Sequence, residues 1–194
     1  YEDVAEPTIL KPTDAIIRLS ATCICGSDLW PYRGINAVTS PQHMGHEYCG
    51  VVVEVGSDVK TIKPGQFVVG SFATSDNTCP HCHHGFQSSC EQREFMSGAQ
   101  APYARVPLAD GTLVATAETP SDDLLPSLLA VSDVLGTGWY AADAARVRPG
   151  AREISSWTSE PGRSATSGPI PMPTALMAWI DISACARRPS SLRS

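Results

Sequence analysis

Three cysteines lie close together in a polar stretch of the chain, at a spacing typical of metal sites. Cys79 and Cys82 form a Cys-x2-Cys pair, and Cys90 follows after seven further residues. In such a pair two thiolates bind one ion while backbone amides of the turn face the sulfurs, and a closed zinc site takes four ligands. Because residues 75–93 show no hydrophobic period, we expect a metal rather than apolar packing to hold this loop together.

Several residues compete for the fourth ligand position of this zinc site. Asp76 continues the same spacing backwards, as Asp-x2-Cys-x2-Cys-x7-Cys. The alternatives are three histidines inside or just after the cysteine pair, where ligation would strain the turn: His81, His83 and His84. A simpler interpretation is that the cysteines are reduced surface thiols without a metal. We favour a site made of Asp76, Cys79, Cys82 and Cys90.

A second set of potential ligands is spread along the chain. Cys25-Gly26-Ser27-Asp28 follows a stretch that resembles a strand, His46 and Glu47 precede a valine-rich strand, and Asp133 lies between two expected helices. A single cysteine or histidine in such a setting is more often structural than a ligand. Taken separately, these fragments therefore do not define a site.

A run of spaced glycines around His46 indicates that these separate segments belong to one known motif. From Gly45 to Val59 the chain reads Gly-His-Glu-x2-Gly-x5-Gly-x2-Val, which resembles the zinc signature of the medium-chain dehydrogenase/reductase superfamily. Residues 25–28 stand where that family keeps its first catalytic ligand, and Asp133 stands at the third, where many members have cysteine. The cysteine-rich loop resembles the family's structural zinc lobe, whose four cysteines follow a Cys-x2-Cys-x2-Cys-x7-Cys spacing. Here Asp76 replaces the first of them.

The resemblance implies a reaction and a role for each residue. Cys25, His46 and Asp133 would hold a catalytic zinc with one open position, where an alcohol gives up its proton and passes hydride to NAD or NADP. In reverse, the zinc would polarise an aldehyde or ketone. Ser27 would carry the hydroxyl proton outward, and Thr137 would touch the nicotinamide.

Residues beside these candidates have two interpretations each. Glu47 would be a group that orients the site or a transient fourth ligand, or else a surface carboxylate at a strand end. Trp30 stands where many family members have a proton-relay histidine, so Trp30 and Tyr32 either line the substrate cleft or serve as packing aromatics. Cys23 and Cys49 are expected to be buried thiols.

The surrounding elements read mainly as short strands, at residues 15–21, 48–55, 67–69, 103–107 and 111–115. A helix capped by Ser121 or Asp122 should follow, with leucines at helical spacing. Residues 136–138, Gly-Thr-Gly, are expected to interrupt that pattern before a second helix over 139–147. With the resemblance, this predicts a mainly β fold with some α: a GroES-like, partly open β-barrel with a structural zinc lobe and C-terminal helices.

Composition excludes several classes of protein. The net charge is -6 with no basic cluster in the first 140 residues, which argues against nucleic-acid binding. No apolar run reaches the roughly 18 residues of a membrane span, so we expect no membrane association and a cytoplasmic protein. The seven cysteines are an odd number, which does not suit a secreted disulfide framework.

The last part of the chain changes character. Residues 1–150 are expected to form the catalytic domain, whereas 151–194 are rich in Ser, Pro and Arg, with one apolar stretch at 174–186. The Gly-x-Gly-x-x-Gly turn of a doubly wound dinucleotide-binding (Rossmann) domain should follow Gly150 and does not occur. A shifted reading frame would explain the change, an evolved tail being the alternative. The chain also opens at Tyr1 inside structured-looking sequence, which suggests a lost native start.

The expected function is therefore that of a zinc-dependent alcohol dehydrogenase, with this polypeptide alone inactive. The expected partner is a small alcohol or aldehyde, and the full-length enzyme could form an oligomer. A non-enzymatic zinc-binding module is the main alternative. A zinc hydrolase or lyase is a weaker one, because only Glu47 offers itself as a general base.

Overall fold

The computed structural model describes residues 4–39 and 42–146. The chain divides into two compact units, residues 1–136 and 137–194. The predicted domain boundary near residue 150, the atypical tail and the apolar stretch at 174–186 lie outside the described residues. Within the described part, no helix combines the length and the apolar character that crossing a membrane requires.

Five strands form one antiparallel sheet in the first unit. They are β1 (Ala15–Thr22), β2 (Tyr48–Val55), β3 (Phe67–Gly70), β4 (Tyr103–Val106) and β5 (Leu113–Ala115). Their order across the sheet is β4-β1-β2-β3-β5. The β1–β2 pairing is irregular at Ile16/Ile17 and at Leu19/Ala21, and irregularities of this kind bend and twist a sheet.

Helices are short in the first unit and one longer helix crosses its boundary. They are α1 (Leu29–Tyr32), α2 (Pro80–His83), α3 (Ala109–Thr112), α4 (Leu125–Val131) and α5 (Val134–Ala144). Turns of 3₁₀ helix lie at Gly26–Asp28, Gln87–Ser89 and Asp122–Leu124.

Two apolar clusters hold the sheet and α4 together. The larger one combines side chains from all five strands with others from the connecting segments, and its fully buried members include Ile17, Val52, Val68 and Val106. The smaller one is centred on Cys49, Phe67 and Val69, and three leucines of α4 pack against it: Leu125, Leu128 and Leu129. The α4 helix is therefore fixed to the sheet by the apolar face that its leucine spacing predicts.

The predicted mainly β architecture is confirmed, with three local corrections. Residues 111 and 112 belong to α3 instead of a strand, because the chain turns at Leu108, whose φ is +51°. Gly136-Thr137-Gly138 does not interrupt the helical pattern, because α5 runs through all three residues. Glycine lowers helix stability by about 1 kcal/mol but does not forbid the conformation. The helix ends at Ala144, before the predicted end at residue 147, because the chain turns at Arg146, whose φ is +52°.

Two candidate metal centres

The pairing of β1 with β2 brings two of the dispersed ligands to one edge of the sheet. Thr22, the last residue of β1, pairs with Tyr48, the first of β2. Cys25 follows β1 by three residues and His46 precedes β2 by two, so both leave the sheet at the same end. Asp133 comes from the junction of α4 and α5, which the packing of α4 holds near β2 and β3.

These elements place four potential ligands in one cluster. One ligand atom each from Cys25, His46, Glu47 and Asp133 lies within 4.8 Å of the others. The Nε2 atom of His46 is 3.7 Å from Oδ2 of Asp133. Tetrahedral zinc separates its ligand atoms by about 3.3–3.8 Å, and thiolate, imidazole and carboxylate are its usual donors. The donor set and its spacing therefore fit a zinc ion, and we call this cluster the cleft site.

Asp28 lies against the cleft site and was not singled out from the sequence. The Nδ1 atom of His46 lies 3.3 Å from Oδ1 of Asp28, while Oδ2 accepts a 2.9 Å hydrogen bond from the Cys25 amide. Asp28 is 7% exposed. Asp28 therefore presents an acceptor oxygen to the Nδ1 side of His46, while the Nε2 side of the ring faces Asp133. Its position three residues after Cys25, in the Cys-Gly-Ser-Asp segment, is the sequence feature that could have identified it.

Glu47 is buried, with 4% of its surface exposed, and does not lie at the surface. Its Oε2 atom accepts a 3.0 Å hydrogen bond from the thiol of Cys23. Cys23 is half-buried, whereas Cys49 is fully buried, and burial raises the pKa of the Cys49 thiol to about 11. Of the two flanking cysteines, Cys23 therefore contacts the cleft site and Cys49 belongs to the core.

A cleft of about 280 Å³ opens beside His46. Its lining includes Ser27, Trp30, Met44 and Met96. Tyr32, which is 86% exposed, is not part of the lining that the described residues provide. The cleft thus places polar and apolar side chains side by side next to the potential ligands.

Thr137, the residue that the family resemblance places at the nicotinamide, lies in α5 within the second compact unit.

The second centre is the cysteine-rich loop, which we call the lobe site. Ligand atoms of Asp76, Cys79, Cys82 and Cys90 lie within 4.8 Å of one another, and the sulfurs of Cys79 and Cys82 are 3.5 Å apart. The amides of Asp76 and Gln92 each point at the Cys90 sulfur at 3.4 Å. Three histidines that competed for the fourth position are exposed and outside this group: His81, His83 and His84. The four converging donors fit a closed zinc site.

Hydrogen bonding prepares Asp76 to be ionised in the lobe site. Burial raises the pKa of this carboxyl, but hydrogen bonds from the amides of Thr78 and Cys79 and from the neighbouring thiols outweigh it and lower the pKa. Burial raises the pKa of the Cys82 thiol to about 12. The hydrogen bonds around Asp76 therefore favour its ionised form, which is the form that binds a metal.

One antiparallel sheet therefore carries two candidate zinc centres, a Cys/His/carboxylate cluster beside a cleft and a second cluster in a cysteine-rich lobe. Residues 11–117 match the alcohol dehydrogenase GroES-like domain, and the chain belongs to this family.

The relatives of this chain are longer than it is. It is 40% identical over 144 residues to zinc-type alcohol dehydrogenase B of Aspergillus flavus, an alignment with 72% of this chain and 33% of that protein. Alcohol dehydrogenase TADH from Thermus sp. ATN1 aligns with a TM-score of 0.69 and 31% identity, covering 77% of this chain and 45% of that one. Zinc dependent alcohol dehydrogenase 2 from Streptococcus pneumonia aligns with a TM-score of 0.65 and 38% identity, covering 77% of this chain and 43% of that one. The chain thus spans a third to a half of the length of these proteins.

Proposed function

We propose that this chain is the zinc-binding catalytic part of an alcohol dehydrogenase that interconverts a small alcohol and its aldehyde or ketone with NAD or NADP. One observation carries the proposal: the potential ligands of the cleft site converge within 4.8 Å, directly beside a cleft. A domain that only binds zinc for stability has no need of a second cluster that faces a cleft. The names of the relatives support the same reaction class.

In this proposal Cys25, His46 and Asp133 hold the catalytic zinc. When bound, zinc lowers the pKa of an alcohol and polarises a carbonyl. Glu47 remains close enough to exchange with a ligand, since its carboxylate shares the cluster. Asp28 keeps His46 in the tautomer that offers Nε2.

The walls of the cleft have complementary tasks. Ser27 lines the cleft and is partly exposed, so its hydroxyl can accept a proton from a bound alcohol and donate its own to water. Trp30, Met44 and Met96 provide apolar surface that displaces water from the substrate carbon. The lobe site has a separate task, because its buried cysteines cluster with one another and hold the loop.

Metal analysis of matched variants tests the proposal. The purified chain should bind two zinc ions, and Cys25→Ala and Asp76→Ala should each reduce this to one. Cobalt-substituted protein should change its visible spectrum when imidazole is added, because a site with an open position accepts an external ligand. The Cys25→Ala variant should not respond. If the spectrum of the parent chain did not change on adding imidazole, the alternative of a non-enzymatic zinc-binding module would be favoured.

We further propose that residues 1–150 form the catalytic domain and that 151–194 are an atypical segment in place of a nucleotide-binding domain. The support is the absence of a Gly-x-Gly-x-x-Gly turn after Gly150 in this sequence. This polypeptide alone should therefore show no NAD-dependent alcohol oxidation. Measurable turnover by the purified chain would refute this part of the proposal. Zinc stoichiometry would be unaffected by that result.

A further inference from the structure

We propose that Gln100 is a positioning residue of the cleft site that joins its two ligand loops. This inference rests on the proposed function, since it assumes that the cleft site binds zinc. Gln100 lies in the segment before β4, outside both the Cys25 loop and the His46 loop. It contacts each of these loops, one through its side chain and the other through its backbone.

The side chain of Gln100 binds the carboxylate that orients His46. Its Nε2 atom donates a 3.2 Å hydrogen bond to Oδ2 of Asp28. The same oxygen accepts the amide proton of Cys25, and Oδ1 faces His46. Since a carboxylate has no proton to donate, the amide nitrogen of Gln100 must be the group that faces it. Gln100 therefore limits the rotation of Asp28 and, through Asp28, of the imidazole.

The backbone of Gln100 holds the residues that precede His46. Its amide donates to the carbonyl of Met44 at 2.9 Å, and the amide of Ala99 donates to the carbonyl of Gly45 at 3.0 Å. Gly45 has a φ of +96°, and a Cβ atom there would lie 2.5 Å from the nitrogen of Gln100. The close approach of the two segments therefore depends on a glycine immediately before the ligand.

These two contacts couple loops that belong to different strands. The Cys25 loop leaves the end of β1 and the His46 loop enters β2. The segment of Gln100 enters β4, which among the described strands pairs with β1. A residue fixed from a third strand constrains the relative placement of Cys25 and His46. Groups that orient metal ligands through hydrogen bonds typically change metal affinity by about 10–100-fold when removed.

The Gln100→Met variant tests the side-chain contact. Methionine has a similar length and no donor, and the backbone bond to Met44 remains available. Zinc affinity of the cleft site, measured by chelator competition, should fall about tenfold, because Gln100 acts through Asp28 and not on a ligand directly. The cobalt ligand-field spectrum of that site should shift, while zinc release from the lobe site stays unchanged. Gln100→Glu, which places a second carboxylate against Asp28, should weaken binding further.

The control is Ser97→Ala. The Ser97 hydroxyl donates to the carbonyl of His43, so this variant loosens the same pair of segments without touching Asp28. Cleft-site affinity within about twofold of the parent in both Gln100 variants would overturn the inference, since the loss expected on removing an orienting group is larger. Equal losses at the two centres, or an equal loss in Ser97→Ala, would also overturn it by showing a general packing effect. If Cys25→Ala still bound two zinc ions, the proposed function itself would have failed, and the two failures are therefore distinguishable.

Discussion

In the proposed cleft site, Asp28 is the acceptor that faces Nδ1 of His46 and so leaves Nε2 for a metal. The carboxylate receives the Cys25 amide at 2.9 Å and the Gln100 side chain at 3.2 Å, and it lies 3.3 Å from Nδ1 of His46. Two hydrogen-bond donors and the Nδ1 atom of His46 therefore converge on one buried carboxylate. This acceptor role requires both oxygens, so an amide of the same shape cannot perform it.

We expect the Asp28→Asn variant to lose zinc from the cleft site selectively. The amide of asparagine would present N–H groups to at least one of the donors now facing Asp28. Zinc affinity of the cleft site should fall about 10–100-fold, as for other partners of metal-bound histidine. Chelator competition with mass-spectrometric zinc counting would measure it. Asp58→Asn is a matched control, because Asp58 is exposed and accepts a bond only from the Ser57 hydroxyl among the side-chain contacts of the described residues. Unchanged zinc affinity in Asp28→Asn would contradict this role.

The turn that carries His46 requires a glycine for two separate reasons. Gly45 has a left-handed φ of +96°, and a Cβ atom would also collide with the backbone of Gln100. Gly65 shares the first property, with a φ of +89°, but no atom lies within 4 Å of the place that a Cβ atom would occupy there. Comparing substitutions at Gly45 and Gly65 therefore separates the cost of backbone strain from the cost of a steric collision.

Gly65→Ala should cost about 1–2 kcal/mol in the free energy of unfolding, which is the strain of a left-handed alanine. Gly45→Ala should cost about 1–3 kcal/mol more than that, because the neighbouring segment must move. Urea denaturation of both variants measures the difference. Only Gly45→Ala should also weaken zinc binding at the cleft site. Equal stability losses in the two variants would show that the collision is relieved without cost.

Asp110, in α3, forms hydrogen bonds to the turn between β2 and β3. Its carboxylate accepts bonds from the amides of Lys60, Thr61 and Ile62, at 2.7, 2.8 and 3.2 Å, and from the Thr61 hydroxyl at 2.6 Å. Partial burial raises the pKa of Asp110, but these hydrogen bonds outweigh it and lower the pKa. The ionised form is therefore favoured by folding.

Replacing Asp110 with Asn should cost about 1–3 kcal/mol at neutral pH. A lowered folded-state pKa means that the stabilisation is complete above the unfolded value of about 3.9 and is lost as the pH falls through the folded value. The stability difference between parent and variant should stay constant from about pH 7 to 5 and shrink below about pH 4. Urea denaturation with chelator present would measure it without interference from metal loss. A difference that grew on acidification would contradict the assignment.

Local patterns were sufficient to predict most elements, and tertiary contacts explain the exceptions. Alternating and valine-rich runs predicted β1 to β4 closely, because each buries at least one face. The short α3 was missed, since it depends on Asp110 reaching a turn that lies 49 residues away in the chain. At the cleft site, the candidate ligands could be named from the sequence because they match a known family motif. The contacts of Asp28 and Gln100 depend on side-chain directions that no spacing encodes.

The two centres differ in what supports them across the whole molecule. Residues around the cleft site are attached to a sheet with an extensive apolar core. The lobe has a buried cluster of its own that consists of three cysteines: Cys79, Cys82 and Cys90. Phe86 and Phe95, which are large apolar residues of this region, are 59% and 65% exposed. Metal binding is therefore expected to matter more for the order of the lobe than for the sheet.

Removing zinc with a chelator should loosen the lobe and leave the sheet folded. Amide hydrogen exchange in residues 76–93 should accelerate about tenfold or more, because little apolar surface remains to keep the loop closed. Exchange in β1 and β2 should change little, since their protection depends on the core. Cys82→Ser in zinc-containing buffer should reproduce the effect, whereas Cys23→Ser, outside the lobe, should not. Equal exchange in the lobe with and without chelator would mean that hydrogen bonds alone hold it. The lobe site would then have no structural task.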